Sequence, residues 1–135
     1  MKLVEIRKQF ESDFAFLNKI KEEVEKLAVE NPDFIYNPHG IGQCYYNSGP
    51  ENGPESKGCI FGQVLQNMGW TDENELKNND CISYNLDCLA GVKGCLSATE
   101  NSKYLNLLND VQHNQDRNKS WKEAIGPLSQ WDNKN

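Results

Sequence analysis

The chain has 135 residues, one domain's worth, with only 37% hydrophobic residues and a formal net charge of −6. That balance excludes a nucleic-acid polymer as partner, because affinity for a phosphate backbone needs clustered Lys and Arg. An anionic ligand would have to be gripped by local donors, and so thin a core predicts a homo-oligomer.

The opening MKLVEIRKQFESDF holds no apolar run of signal-peptide length, and no later stretch approaches the roughly eighteen apolar residues of a membrane span. The expectation is a cytoplasmic protein with no membrane partner, a single domain over 1–135 with 1–10 and 130–135 flexible. Phe10, Phe14, Leu17, Ile20, Val24 and Leu27 recur at steps of three and four, which predicts an amphipathic helix over about 11–30, ended by Asn31 and Pro32. Phe34, Ile35 and Tyr36, and then Gln43 to Tyr46, are short aromatic-rich runs around Asn37, Pro38, His39 and Gly40. They read as an antiparallel hairpin.

A loop crowded with Gly, Pro, Ser and Asn then leads through Lys57 into an apolar run of helical period. Ile60, Phe61, Val64, Leu65 and Met68 predict a second helix over about 58–68, stopped by Gly69. Thr71 reads as the N-cap of a short helix containing Leu76. The stretch 78–94, broken by Gly91 and Gly94, reads as short elements and turns. Ser97 with Glu100 has capping-box spacing before Tyr104, Leu105, Leu108 and Val111, and Ser120 with Glu123 repeats it before a final short helix cut by Gly126 and Pro127. The expected fold is α+β: about four helices packed on a small antiparallel hairpin, with the Gly58 helix at the centre.

The glycines Gly58 and Gly62 at a helix start admit two readings. One is an anion site: backbone N–H groups near Gly58 and Cys59, the Lys57 ammonium, and the faces of Tyr45 and Tyr46 beside Asn47 could hold a phosphate and stack a base. The other is a surface loop followed by close packing. The order of residues is not that of a P-loop. A second cluster, His113, Asp116, Arg117 and Trp121, joins the last two predicted helices; a guanidinium and an indole together can clamp a nucleotide, or Asp116 can pair locally while Trp121 fills the core. A ligand site requires the Gly58 helix start to lie within reach of that second cluster.

Cys44, Cys59, Cys81, Cys88 and Cys95 are odd in number, which fits reduced thiols better than a disulfide framework. Cys81, Cys88 and Cys95 are seven apart with no C-x-x-C knuckle, so no metal site and no cofactor is expected. Nothing in the sequence places His39 or His113 beside a thiol, and the acidic residues follow no motif spacing.

The patterns Gly42-x-Cys44-x-Tyr46, then Gly58-Cys59-Ile60-x-Gly62-x-Val64-Leu65 to Gly69, then Gln112-x-x-Gln115-Asp116 with Trp121 and Ala124, resemble a group of small proteins from actinobacterial and phage genomes with no assigned activity. The resemblance implies a shared scaffold and a phage origin. In class the chain is also similar to phage anti-defence sponges. It is read as a non-enzymatic binding protein sequestering a small anionic ligand such as a cyclic nucleotide or ADP-ribose derivative, with Tyr45, Tyr46, Asn47, Lys57, Gly58, Cys59, Gly62, His113, Asp116, Arg117 and Trp121 at the site. The alternative is a protein-interaction module, an inhibitor of a host protein that uses the acidic, aromatic-bearing surface.

Overall fold

Ser12 has extended backbone and its hydroxyl accepts from the Ala15 amide, which starts the first long helix on the predicted periodic segment. The computed structural model describes residues 1–36, 46, 58–72, 75–76 and 81–132. Within them run α1 (Leu3–Arg7), α2 (Asp13–Glu30), α3 (Ile60–Asn67), α4 (Ile82–Ala90), α5 (Ser102–Asp116), α6 (Trp121–Ala124) and a closing 3-10 turn (Gly126–Gln130). No helix among the described residues is long and apolar enough to cross a membrane.

The expected α+β fold is corrected by this element list. Among the described residues no strand forms, and the extended segment 34–36 makes one isolated antiparallel bridge, between Ile35 and Ser120. Aromatic residues favour strands because they suit a half-buried pleated surface, but here each is placed singly. Phe34 sets its ring edge-on against Trp121 at 4.7 Å, and its carbonyl accepts from the Trp121 amide. Tyr46 is fully buried against α3. The predicted turn at 37–40 and the residues 43–45 lie outside the described residues.

The core is gathered from every helix. The α2 stripe of Phe16, Leu17, Ile20, Val24 and Leu27 meets Ile60, Phe61, Val64 and Leu65 of α3, with Leu105, Leu108 and Val111 of α5 and Trp121 of α6 completing it. Residues 1–10 carry α1, whose Leu3 and Ile6 are fully buried. The Leu3 amide donates to Glu75, and the Met1 amine donates to the Gly69 carbonyl and the Thr71 hydroxyl. The short helix expected after Thr71 falls largely on 73–74 and 77–80, which lie outside the described residues.

α3 stops as its sequence predicts: Gly69, at φ +107°, lets its own amide reach Gln66 and the Trp70 amide reach Leu65. α4 occupies the stretch read as short elements and turns. Its end at Gly91 is a left-handed C-cap, so the glycine that argues against a long helix terminates a short one. α5 starts at Ser102, not at the Ser97 capping box; the Ser102 hydroxyl donates to the Gly94 carbonyl and the Thr99 hydroxyl to that of Lys93, tying the helix start to the chain leaving α4. Ser120 caps α6 as its spacing predicts, accepting from the Glu123 amide.

Candidate functional site

Two helix starts converge on one face of α5. Both α3 and α4 are preceded by a cysteine with extended backbone, Cys59 and Cys81, whose side chain forms no capping hydrogen bond, and both begin with isoleucine. A helix start leaves its first amides without partners inside the helix. Here α5 supplies them. Ile60 N–H donates to Gln115 Oε1 at 2.8 Å, and Ile82 N–H donates to Gln112 Oε1, also at 2.8 Å. Ser83 N–H donates to Asn109 Oδ1 at 3.0 Å. Asn109, Gln112 and Gln115 stand three apart and so share one stripe of α5.

The other ends of these amides are also engaged. Gln112 Nε2 donates to the Tyr46 hydroxyl at 2.6 Å, and Gln115 Nε2 donates to Asp116 Oδ1 at 3.1 Å. Trp121 Nε1 donates to Gln115 Oε1 at 3.3 Å, so one side-chain oxygen closes both the α3 start and the indole. Burial pushes the Tyr46 phenol well above its usual range, against hydrogen bonds from Gln112 and Asn85 that pull it down. Burial likewise pushes the Asp116 carboxyl up to about 6, opposed by its hydrogen bond from Gln115.

The glycines have a direct steric cause. A Cβ on Gly62 would lie 2.2 Å from the Tyr46 carbonyl oxygen, and one on Gly58 would lie 2.8 Å from the same atom. Gly58 also sits at φ +95°, a left-handed conformation that favours glycine. Gln66 Nε2 donates to that carbonyl at 3.1 Å. Gly58, Gly62 and Gln66, four apart, therefore form a cradle along α3 for the Tyr46 peptide.

Of the residues singled out in the sequence, Tyr46, Gly58, Cys59, Gly62, Asp116 and Trp121 gather around Gln115 and the start of α3. The α3 start and the α5–α6 joint do lie within hydrogen-bonding reach of each other. His113 and Arg117 are exposed on the outer side of α5's last turn. Tyr45, Asn47 and Lys57 lie outside the described residues. Trp121 is buried, with its ring on Phe34 and its indole N–H bonded, so it is a packing anchor. Cys59 is disulfide-bonded whereas Cys81, Cys88 and Cys95 are free, so the cysteines are not all reduced thiols.

Asn109, Gln112 and Gln115 were missed as the acceptors that cap the two helix starts. Their signal is polar residues on the apolar stripe of a predicted helix: Gln112 and Gln115 alternate with Leu108 and Val111 and are themselves buried. Asp87 was missed as well. It is buried in α4, and its Oδ2 accepts from the amides of Gly94, Cys95 and Leu96 at 3.1, 3.0 and 3.3 Å. Burial alone would raise that carboxyl; the three amides and the Lys93 ammonium, 3.3 Å from Oδ1, outweigh it and hold it below its usual range.

Among the described residues no three His, Cys, Asp or Glu side chains stand together as a metal site. The Ile60, Ile82 and Ser83 amides at the helix starts are engaged by glutamine and asparagine oxygens, and the nest of amides at 94–96 is filled by Asp87. Comparison with known proteins finds nothing similar: no family model, no curated protein and no solved structure matches the chain.

Proposed function

We propose that the protein is a non-enzymatic interaction module that docks a protein partner through an exposed apolar patch on an acidic body. The patch is the observation that carries this reading. Every residue from Val29 to Ile35 is exposed, and Val29, Phe34 and Ile35 expose 77%, 45% and 51% of their surface. Large apolar side chains exposed within one short segment mark a candidate interaction site. The backbone beneath them is fixed: Phe34 O accepts from Trp121 N–H, Pro32 O accepts from Lys122 N–H, and Ile35 bridges Ser120. A pre-ordered apolar anchor loses little entropy on binding. Glu30 and Asp33 flank the anchor and the chain carries a net charge of −6, so the complementary surface is apolar at its centre and basic at its rim.

A sponge for an anionic nucleotide has less support among the described residues. The Ile60 amide faces Gln115, Trp121 is enclosed, and the same Gln115 donates to the Asp116 carboxyl. That reading now rests on Tyr45, Asn47 and Lys57, which lie outside the described residues.

The test pairs two measurements. Mass spectrometry of heat-released small molecules is expected to yield no stoichiometric nucleotide. A protein retained by the wild type is expected to be lost with Ile35→Glu, which alters an exposed side chain, and to bind less tightly as salt rises. A stoichiometric nucleotide, or a partner indifferent to Ile35→Glu, overturns the proposal. Self-association through the patch would bring like charges together. A sedimentation mass above one chain that Ile35→Glu lowers would replace the basic partner with a second copy.

A further inference from the structure

Cys81 and Cys95 stand on either side of one hydroxyl. Cys81 Sγ lies 3.4 Å from Ser83 Oγ, and Ser83 Oγ donates to Cys95 Sγ at 3.3 Å. Asn109 Nδ2 donates to the same oxygen at 2.6 Å while Asn109 Oδ1 accepts from the Ser83 amide, so α5 grips Ser83 from both sides. The Ser83 proton is directed at Cys95 and its oxygen accepts from Asn109, which leaves the Cys81 thiol as the donor toward that oxygen. Both sulfurs contact the same oxygen atom.

Neither cysteine arrives there by chance of a loose loop. Cys81 is the N-cap of α4, and Cys95 is held by its amide to the buried Asp87 carboxylate, with Gly94 and Leu96 held by the same oxygen. Both thiols are free and both residues are exposed. Gly94, at φ +150°, sits where a Cβ would come within 2.9 Å of Thr99 Oγ1 and 3.1 Å of the Ser102 amide, so a side chain at 94 would push the returning chain away from α4.

We infer that Cys81 and Cys95 form a dithiol site that exchanges with low-molecular-weight disulfides and closes to a Cys81–Cys95 disulfide. One protein thiolate attacks a sulfur of the small disulfide, forming a mixed disulfide and releasing one thiolate of the small molecule, which takes up a proton. The second protein thiolate then attacks the protein sulfur of that mixed disulfide and releases the other small thiolate. The protein loses two protons and two electrons, and the small disulfide becomes two thiols. Side-chain rotation, with the Ser83 hydroxyl moving aside, brings the sulfurs to the roughly 2.05 Å of a disulfide bond. Cys88, free and exposed on the same helix, is a built-in control.

The experiment uses the whole protein without reductant, equilibrated with mixtures of reduced and oxidised glutathione, alkylated, and read by intact mass and peptide mapping. The expected product lacks two hydrogens, carries Cys81 and Cys95 in one cross-linked peptide, and leaves Cys88 to be alkylated or glutathionylated. Phenylarsine oxide, which takes two thiols at once, is expected to bind the wild type and Cys88→Ser on the order of 100-fold more tightly than Cys81→Ser or Cys95→Ser. Glutathione adducts that persist on Cys81 or Cys95, a link from either one to Cys59, or arsenical binding indifferent to both substitutions would overturn the inference.

Discussion

The starts of α3 and α4 use the same device with opposite accessibility. Each follows a cysteine, begins with isoleucine, and has its first amide bonded by a glutamine of α5. At α3 the residues 58–62 are all buried, the glycines cradle the Tyr46 peptide, and Cys59 is in a disulfide. At α4 there is no glycine, Cys81 is exposed and free, and a second free thiol stands across Ser83. The glycine-rich start, which reads as the anion site, is the sealed one. The plain start keeps its chemistry within reach of solvent.

The sharpest way to break this contrast is a methyl group at Gly62. With the Tyr46 carbonyl oxygen 2.2 Å from the new Cβ, and backbone rather than a flexible side chain in the way, Gly62→Ala is expected to cost about 3 kcal/mol or more in urea unfolding. Gly91→Ala is the comparison at the far end of α4. Its φ is +81° but nothing lies within 4 Å of its Cβ, so about 1 kcal/mol of backbone strain is the whole expectation. Equal losses at the two sites would remove the cradle from the account.

Removing the shared device comes next in size. Gln115→Ala leaves both the Ile60 amide and the Trp121 indole without their acceptor, and a buried donor left unsatisfied costs about 1 to 3 kcal/mol. Gln112→Ala leaves the Ile82 amide unsatisfied and takes a partner from the Tyr46 hydroxyl, which Asn85 still bonds. Denaturation should therefore rank Gln115→Ala as the more damaging, by about 1 kcal/mol. The reverse order would mean that α4's start depends on α5 more than α3's does.

These residues also show what the sequence can and cannot say. The core stripes of α2, α3 and α5 were legible because packing against one face imposes the helical period. The Ser120 cap and the Gly69 stop were legible because their chemistry is local. The hairpin was misread because aromatic content near a Pro–Gly turn reports burial without saying what does the burying: Ile35 bridges Ser120, far along the chain. α4 was hidden because its start is capped by Gln112 and Asn109 of another helix, and its own cysteine gives no capping signal. Gly58, Gly62, Asp116 and Trp121 were singled out from two separate stretches, and their contacts with Tyr46 and Gln115 are tertiary facts that no local pattern carries.

The two perturbed carboxyls should respond to pH with opposite signs. Asp87 is held low in the folded state, so its contribution is present above the ordinary carboxylate range and is lost as pH falls through the folded value. Asp116 is raised to about 6, so the folded state holds the proton more tightly than the unfolded chain does. Its contribution is present below the ordinary aspartate range and is lost as pH rises through about 6. Asp116→Asn should therefore flatten stability between about pH 4 and 6 and gain about 1 kcal/mol near neutrality, after allowance for solvent screening of a partly buried group. Asp87→Asn should instead lose stability near neutrality and lose less of the remainder on acidification. A parallel pH response in the two variants would contradict the environments assigned to them.

The central claim is that Gln115 occupies the Ile60 amide at the α3 start, so that this amide is not offered to an anion. Its most direct test is a titration of the 15N-labelled protein with inorganic phosphate, followed at the backbone amides of Ile60 and Ile82 and repeated on Gln115→Ala. The expected result for the wild type is no saturable shift at either amide and slow hydrogen exchange at both, with exchange at Ile60 alone accelerated in Gln115→Ala. A saturable phosphate shift at Ile60 in the wild type would contradict the account and return the glycine-rich start to the role of a ligand site.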